Sequence, residues 1–253
     1  VQLLRCLYAD VLKTKRTAFM WLHLLAPLLY SAVCLLYFHA RELEGAHIYE
    51  LFMTPLAIAL PFVIALVCGL TVSQEERAGH FQNIVGAPLP KLIPYFSKMT
   101  FLIVLNGVSI FLAIGLLWLG FLLSNAELSI LPFLIGGAWL VVTSLVLYFF
   151  YFFVSCLFGI GASALFGVAG LLMTALMGTG LGDAWWQYNP WAWGIRLSGY
   201  AGIVEYEQLE PAFLLFIQQE MRTGFMIVAS VILFVTVISS IWFHRWEGRK
   251  ASE

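Results

Sequence analysis

Between Leu128 and Gly182 the chain reads LSILPFLIGGAWLVVTSLVLYFFYFFVSCLFGIGASALFGVAGLLMTALMGTGLG, without one Asp, Glu, Lys or Arg. A bilayer's hydrocarbon core takes about 20 helical residues to cross, so this stretch is too long for a single span. It breaks naturally near Ser155–Gly161, which predicts a tight helical hairpin. Outward from that hairpin the same apolar character recurs. Six runs stand out: 18–38, 51–72, 101–123, 131–153, 159–181 and 224–243. Each suits one membrane helix. The fold class expected is all-α, with six transmembrane helices.

Composition agrees. The 253 residues are 62% hydrophobic and 11% charged, whereas a soluble domain carries about 25% charged residues. So little charge cannot cover a water-facing surface. Six spans leave only termini and loops, so residues 1–253 read as a single transmembrane domain with no soluble catalytic domain beside it. If ATP drives this protein, the ATPase is another chain. The first apolar run is too long for a signal-peptide core and no small-residue cleavage pattern follows it, so no cleavable signal is expected.

Orientation follows from Lys and Arg placement. Arg5, Lys13, Lys15, Arg16, Arg77, Lys91, Lys98, Arg245, Arg249 and Lys250 fall on one side, ten of thirteen. Only Arg41, Arg196 and Arg222 fall on the other. Both termini are therefore expected inside.

Three segments outside the spans carry the remaining information. In Gln2–Thr17, Leu3, Leu4, Leu7, Val11 and Leu12 share a helical face that Arg5, Asp10, Lys13 and Lys15 mostly avoid. That pattern fits an amphipathic helix on the inner membrane surface, or a plain basic anchor. In Ser73–Thr100, Ser73-Gln74-Glu75-Glu76 fits a capping box, and Ala78, Phe81, Ile84 and Val85 follow at helical spacing. Pro88 and Pro90 end the pattern. A short cytosolic helix with an exposed Phe81 is predicted, packed on its own chain or plugged into a cytosolic partner.

The third segment, 182–223, is the longest outer loop. It carries Trp185, Trp186, Tyr188, Trp191, Trp193 and Tyr200. Trp and Tyr favour the headgroup level, so these rings read either as interfacial anchors or as a surface for an amphipathic ligand.

Catalytic and metal chemistry find little footing. There is no P-loop and no H-E-x-x-H, and His23, His39, His47, His80 and His244 are scattered. Cys6, Cys34, Cys68 and Cys156 form no CxxC, so no disulfide and no metal site are expected. Gly180-Leu181-Gly182-Asp183 matches the G-x-G-D of intramembrane aspartyl proteases, whose dyad needs two carboxylates. The only other aspartate, Asp10, falls on the opposite side. The spans carry no internal ionisable residue of the kind that marks ion-coupled carriers.

The glycines suit packing instead. Gly159, Ser163 and Gly167, then Gly170, Thr174 and Gly178, recur every four residues, the spacing that lets membrane helices approach closely. Pro55 and Pro61 fall within the second span, where neighbouring helices must satisfy the freed carbonyls.

Six spans, both ends inside, a short cytosolic helix after the second span and a long outer segment before the sixth resemble an ABC-2 type permease. More narrowly, EERAGHFQNIVGAPLPKLIPYFSK (Glu75–Lys98) and LLRCLYADVLKTKRT (Leu3–Thr17) resemble lantibiotic-protection permeases of the MutG type. The resemblance covers essentially the whole chain. It implies a subunit without a nucleotide site, hence no cofactor in this chain, with ATP and Mg bound by a separate ABC ATPase in two copies. A second, different permease, membrane lipid and a lantibiotic peptide are the other implied partners. No nucleic acid is expected. The implied function is clearance of antimicrobial peptide from the producer's cell membrane, giving self-immunity. The alternative is another amphipathic cargo: a lipid, drug or polyketide. By the same resemblance, Glu75, Glu76, Gly79, His80, Phe81, Gln82 and Asn83 would belong to a coupling helix seated in the ATPase.

Overall fold

The computed structural model describes residues 2–15, 18–41, 43–79, 81–82, 89–124 and 128–248. Seven helices account for nearly all of them: α1 (Gln2–Thr14), α2 (Ala18–His39), α3 (Gly45–Arg77), α4 (Leu92–Leu123), α5 (Leu131–Met177), α6 (Pro190–Tyr206) and α7 (Pro211–Arg245). Five of these, α2, α3, α4, α5 and α7, are long and apolar enough to cross a membrane.

The element α5 is two helices in one. Gly159 has φ 84° and ψ −178°, a conformation essentially reserved for glycine. Beyond it the chain reverses. Tyr151 donates from its hydroxyl to the Phe166 carbonyl at 3.3 Å, and the Phe150 and Phe166 rings lie 5.8 Å apart. In a straight helix residues 150 and 166 would be about 24 Å apart, at 1.5 Å per residue. The limbs 131–158 and 160–177 therefore lie side by side, with the turn inside the predicted Ser155–Gly161 break.

Pairwise contacts fix the direction of every long helix. Ser109 donates to the His23 carbonyl, and Ser31 to that of Ala113, so α2 and α4 run parallel. Phe52 meets Phe133 and Cys68 meets the Tyr148 carbonyl, so α3 parallels the first limb of α5. Ser163 donates to the Ala65 carbonyl while Gly167 packs on Phe62 and Ala65, so α3 opposes the second limb. Trp139 meets Phe225 and Phe153 meets Trp242, so α7 parallels the first limb. α1, the α3–α4 connection and the end of α7 consequently meet at one end of the bundle. The α2–α3 and α4–α5 connections lie at the other.

α3 is the buried axis: Phe52, Ile64, Ala65, Val67 and Cys68 are completely covered. α2 and α7 are peripheral and leave Leu29, Val33, Leu36, Leu233 and Phe234 exposed, as lipid-facing helices do.

Four expectations need correction. α3 does not stop at Val72 to make way for a helix capped by Ser73; it continues to Arg77. Gln and Glu propagate a helix as readily as they cap one, and the chain leaves helical geometry only at Gly79 (φ 142°) and Phe81 (φ 66°). α4 begins at Leu92, well before 101, and α7 begins at Pro211, well before 224. The segment 182–223 is not simply a loop at the surface. Trp191 lies against Gly170 and Tyr151, deep beside α5, and α6 then rises until Tyr206 reaches the Ser129 carbonyl. The chain thus re-enters the bundle after Met177 and climbs back out.

Candidate functional site

At the end where the termini meet, four charged side chains converge. Lys98, on the first turns of α4, places its ammonium 2.6 Å from Glu75 Oε1 and 3.0 Å from Asp10 Oδ1. Lys13 adds a contact of 3.1 Å to the same Glu75 oxygen. Ser97 donates to Asp10 Oδ2 at 2.7 Å. Asp10, Glu75, Ser97 and Lys98 are all buried, and the two cations balance the two carboxylates. Removing such charges from water costs several kcal/mol per ion, offset only by close pairing. α1 therefore turns its polar side, Asp10 and Thr14, toward the bundle and leaves Leu3, Leu4 and Leu12 exposed. Glu75 Oε2 is buried and has no hydrogen-bond partner among the described residues.

Beside this cluster lies an aromatic one. The Phe81 ring meets Trp246 edge-on at 5.0 Å, Trp246 lies beside Phe243 and Trp242, and Phe243 stacks on Tyr95 at 4.3 Å. Lys91 donates to the Trp246 carbonyl at 3.2 Å. Phe81 is only 3% exposed, which corrects the expectation of an exposed knob. Its positive φ turns the ring back under the bundle, where Trp246, distant in sequence, covers it. Of the other predicted coupling residues, Glu76 and Gly79 are partly covered and Gln82 is exposed. His80 and Asn83 lie outside the described residues, as do Ile84, Val85 and Pro88. The predicted helix beyond Gln82 is thus undescribed.

The small-residue series divides between two neighbours. Ser163 and Gly167 face α3, and Gly170, Thr174 and Gly178 face α6 through Trp191 and Ile195. Gly159 forms the turn itself.

The outer aromatics also divide. Trp186 and Trp193 are 2% exposed, which corrects the picture of a row of surface rings. Trp186 donates to Glu220 at 3.2 Å and Trp193 to the Gln187 carbonyl at 2.9 Å. Trp191 donates to the Tyr151 hydroxyl at 2.8 Å. The re-entrant path of the chain draws these rings inward. Trp185 and Tyr188 remain exposed. Arg196, which in the sequence counts only as an outer cation, fastens the re-entry: it donates to the Met177 and Thr179 carbonyls and pairs with Asp183 at 2.7 Å. A cavity of about 320 Å³ opens between α3 and α6, with Glu50, Glu207 and Tyr200 in its wall. Burial foremost, then the Glu220 carboxylate, holds the Tyr200 phenol above its ordinary pKa.

This geometry defines a multi-pass helical membrane protein. Its charged groups gather toward the two ends of the bundle, while its peripheral helices expose apolar side chains. The chain belongs to the ABC-2 family transporter protein family, which it matches over residues 6–180. Membrane components of that family are generally non-catalytic, and membership implies partnership with an ABC ATPase subunit. A bacterial cell membrane fits as its location. No curated protein and no solved structure matches the chain.

Proposed function

We propose that this chain is the permease subunit of an ATP-driven transporter that lifts lantibiotic peptide out of the producer's membrane and releases it outside. The chain crosses the membrane six times, the two limbs of α5 counting separately, with both termini inside. It works with two copies of an ABC ATPase, which bind ATP and Mg, and with a second, different permease.

The observation that carries this reading is the ion cluster. Asp10 and Lys13 belong to the opening stretch, and Glu75 and Lys98 to the second stretch, that resemble lantibiotic-protection permeases. The two stretches meet in one set of ion pairs. The connection between α3 and α4, held to α1 by ions and to α7 by Phe81 and Trp246, transmits the motion of the ATPase. The ATPase itself meets the exposed side of that connection, around Arg77 and Gln82. Exposed Trp185 and Tyr188 and the outer carboxylates Glu207 and Glu210 face an amphipathic, cationic cargo.

The test is expression with the partner ATPase and sister permease in a host sensitive to lantibiotics, challenged with a panel of them. Raised tolerance, with peptide recovered in the medium only when the ATPase is active, is expected. Unchanged tolerance to every peptide, with ATP-dependent release of lipid or drug instead, would transfer the chain to another cargo class.

A further inference from the structure

We propose that a groove between the first limb of α5 and α7 is a binding site for an acyl tail of an anionic phospholipid. This goes beyond the transport reading and depends only on the chain's place in a membrane. The groove has a volume of about 500 Å³ and an entirely apolar exposed lining. Phe150 and Phe153 form one wall, and Phe234, Ile238 and Trp242 the other.

The groove exists because α6 stops short. Higher in the bundle α6 wedges limb and α7 apart, with Gly194 against Thr143 and Leu197 against Gly224. The wedge ends at Pro190 and Trp191, which roof the groove. Below, Phe153 and Trp242 close it with rings 4.7 Å apart. The polar groups within reach are turned away: Trp191 donates to Tyr151 and Ser239 to the Thr236 carbonyl. Nothing in the lining asks for a hydrogen bond.

The surroundings select the occupant. The groove runs along two helices long and apolar enough to cross a membrane, and its exposed lining offers no polar group, so the methylene chains of the bilayer fill it. Charge selects the headgroup. Ile238, Trp242 and Arg245 follow one another at helical spacing along α7, so an exposed arginine comes just beyond the groove's closed end. It has no ion pair among the described residues. An anionic lipid in the leaflet at that end places its tail between Phe150 and Ile238 and its phosphate at Arg245. Because Trp242 also touches Trp246, and Trp246 touches Phe81, the tail lies against the same aromatic chain that reaches the α3–α4 connection.

The experiment uses the purified full chain in vesicles of phosphatidylglycerol and phosphatidylcholine, each in turn carrying a diazirine on the acyl chain. After illumination, lipid adducts are mapped by peptide mass spectrometry. Adducts on Phe150 and Ile238 should exceed those on Leu233, an ordinary lipid-facing residue of α7 at 68% exposure, by several-fold. Labelling from phosphatidylglycerol should exceed that from phosphatidylcholine, and Arg245→Gln should abolish that preference. Val235→Trp, which fills the groove, should remove the groove adducts and spare Leu233. Groove labelling equal to or below that of Leu233 in the unsubstituted chain, the result if a second copy covered the groove, overturns the site. Equal labelling by the two lipids overturns the assignment of an anionic headgroup.

Discussion

Lys98 and Glu75, 23 residues apart, hold each other at 2.6 Å in a buried setting at the foot of α3 and α4. The pair is shared with Asp10 from the N-terminal helix, so it fastens α1 to the membrane bundle. Removing one member leaves the others buried and uncompensated. Lys98→Met should therefore destabilise the chain by about 3–5 kcal/mol, read as a lowered unfolding temperature in detergent. Adding Glu75→Leu and Asp10→Leu to Lys98→Met should restore most of that loss, because a well-packed apolar set of similar volume replaces the ions. A triple variant no better than the single one would deny the cluster's charge balance any role in stability.

Phe81 provides the second prediction. Deleting a buried aromatic costs about 3–5 kcal/mol, so Phe81→Ala should destabilise the purified chain even with no ATPase present. Trp246→Ala should do likewise. Since the two rings touch, the double variant should fall short of the sum. Simple additivity would mean that the rings stabilise the chain independently. An unchanged unfolding temperature in Phe81→Ala would restore the exposed-knob expectation.

What the sequence made legible was whatever depends on local hydropathy. The long uncharged stretch required a reversal, and Gly159 supplies it. The amphipathic spacing of residues 2–14 defined a helix, and its exposed leucines agree with a membrane-surface position. Non-local pairing was not legible. Asp10 and Lys98 are 88 positions apart, and each alone looks like an ordinary interfacial charge. Glu75 and Glu76 after Ser73 satisfy the rules for a capping box and for a continuing helix equally well. The Trp-rich segment misled for a similar reason: a tryptophan with its indole at the headgroup level and one donating to Glu220 inside a re-entrant turn have the same sequence.

Gly159 gives a third prediction. Its φ of 84° with an extended ψ is open to glycine and strained for any side chain, at about 1–3 kcal/mol. Gly159→Ala should lower the unfolding temperature and Gly159→Val lower it further. Gly161, where an added Cβ meets nothing within 4 Å and which has no positive φ, is the internal control: Gly161→Ala should be tolerated. Equal effects at the two positions would place the turn's requirement elsewhere.

The proposed six-crossing arrangement gives the last. The contacts place Glu44 and Glu207 at one end of the bundle, close to Gly45 and Tyr206, which touch. Pro90 lies at the other end beside Lys91, whose ammonium reaches Trp246. With the four native cysteines removed, single cysteines at positions 44 and 207 should react with a membrane-impermeant thiol reagent in intact cells. A cysteine at position 90 should react only after permeabilisation. The placement of cations sets the expected sign of this result, since seven of the ten described Lys and Arg lie toward the end that carries Pro90 and such residues favour the cytoplasmic side. The reverse pattern would invert the orientation while leaving the helix packing intact. Labelling of positions 44 and 90 alike in intact cells is a different failure. Glu44 and Pro90 flank α3, so that result would mean α3 does not cross the membrane, and the count of six would fall with it.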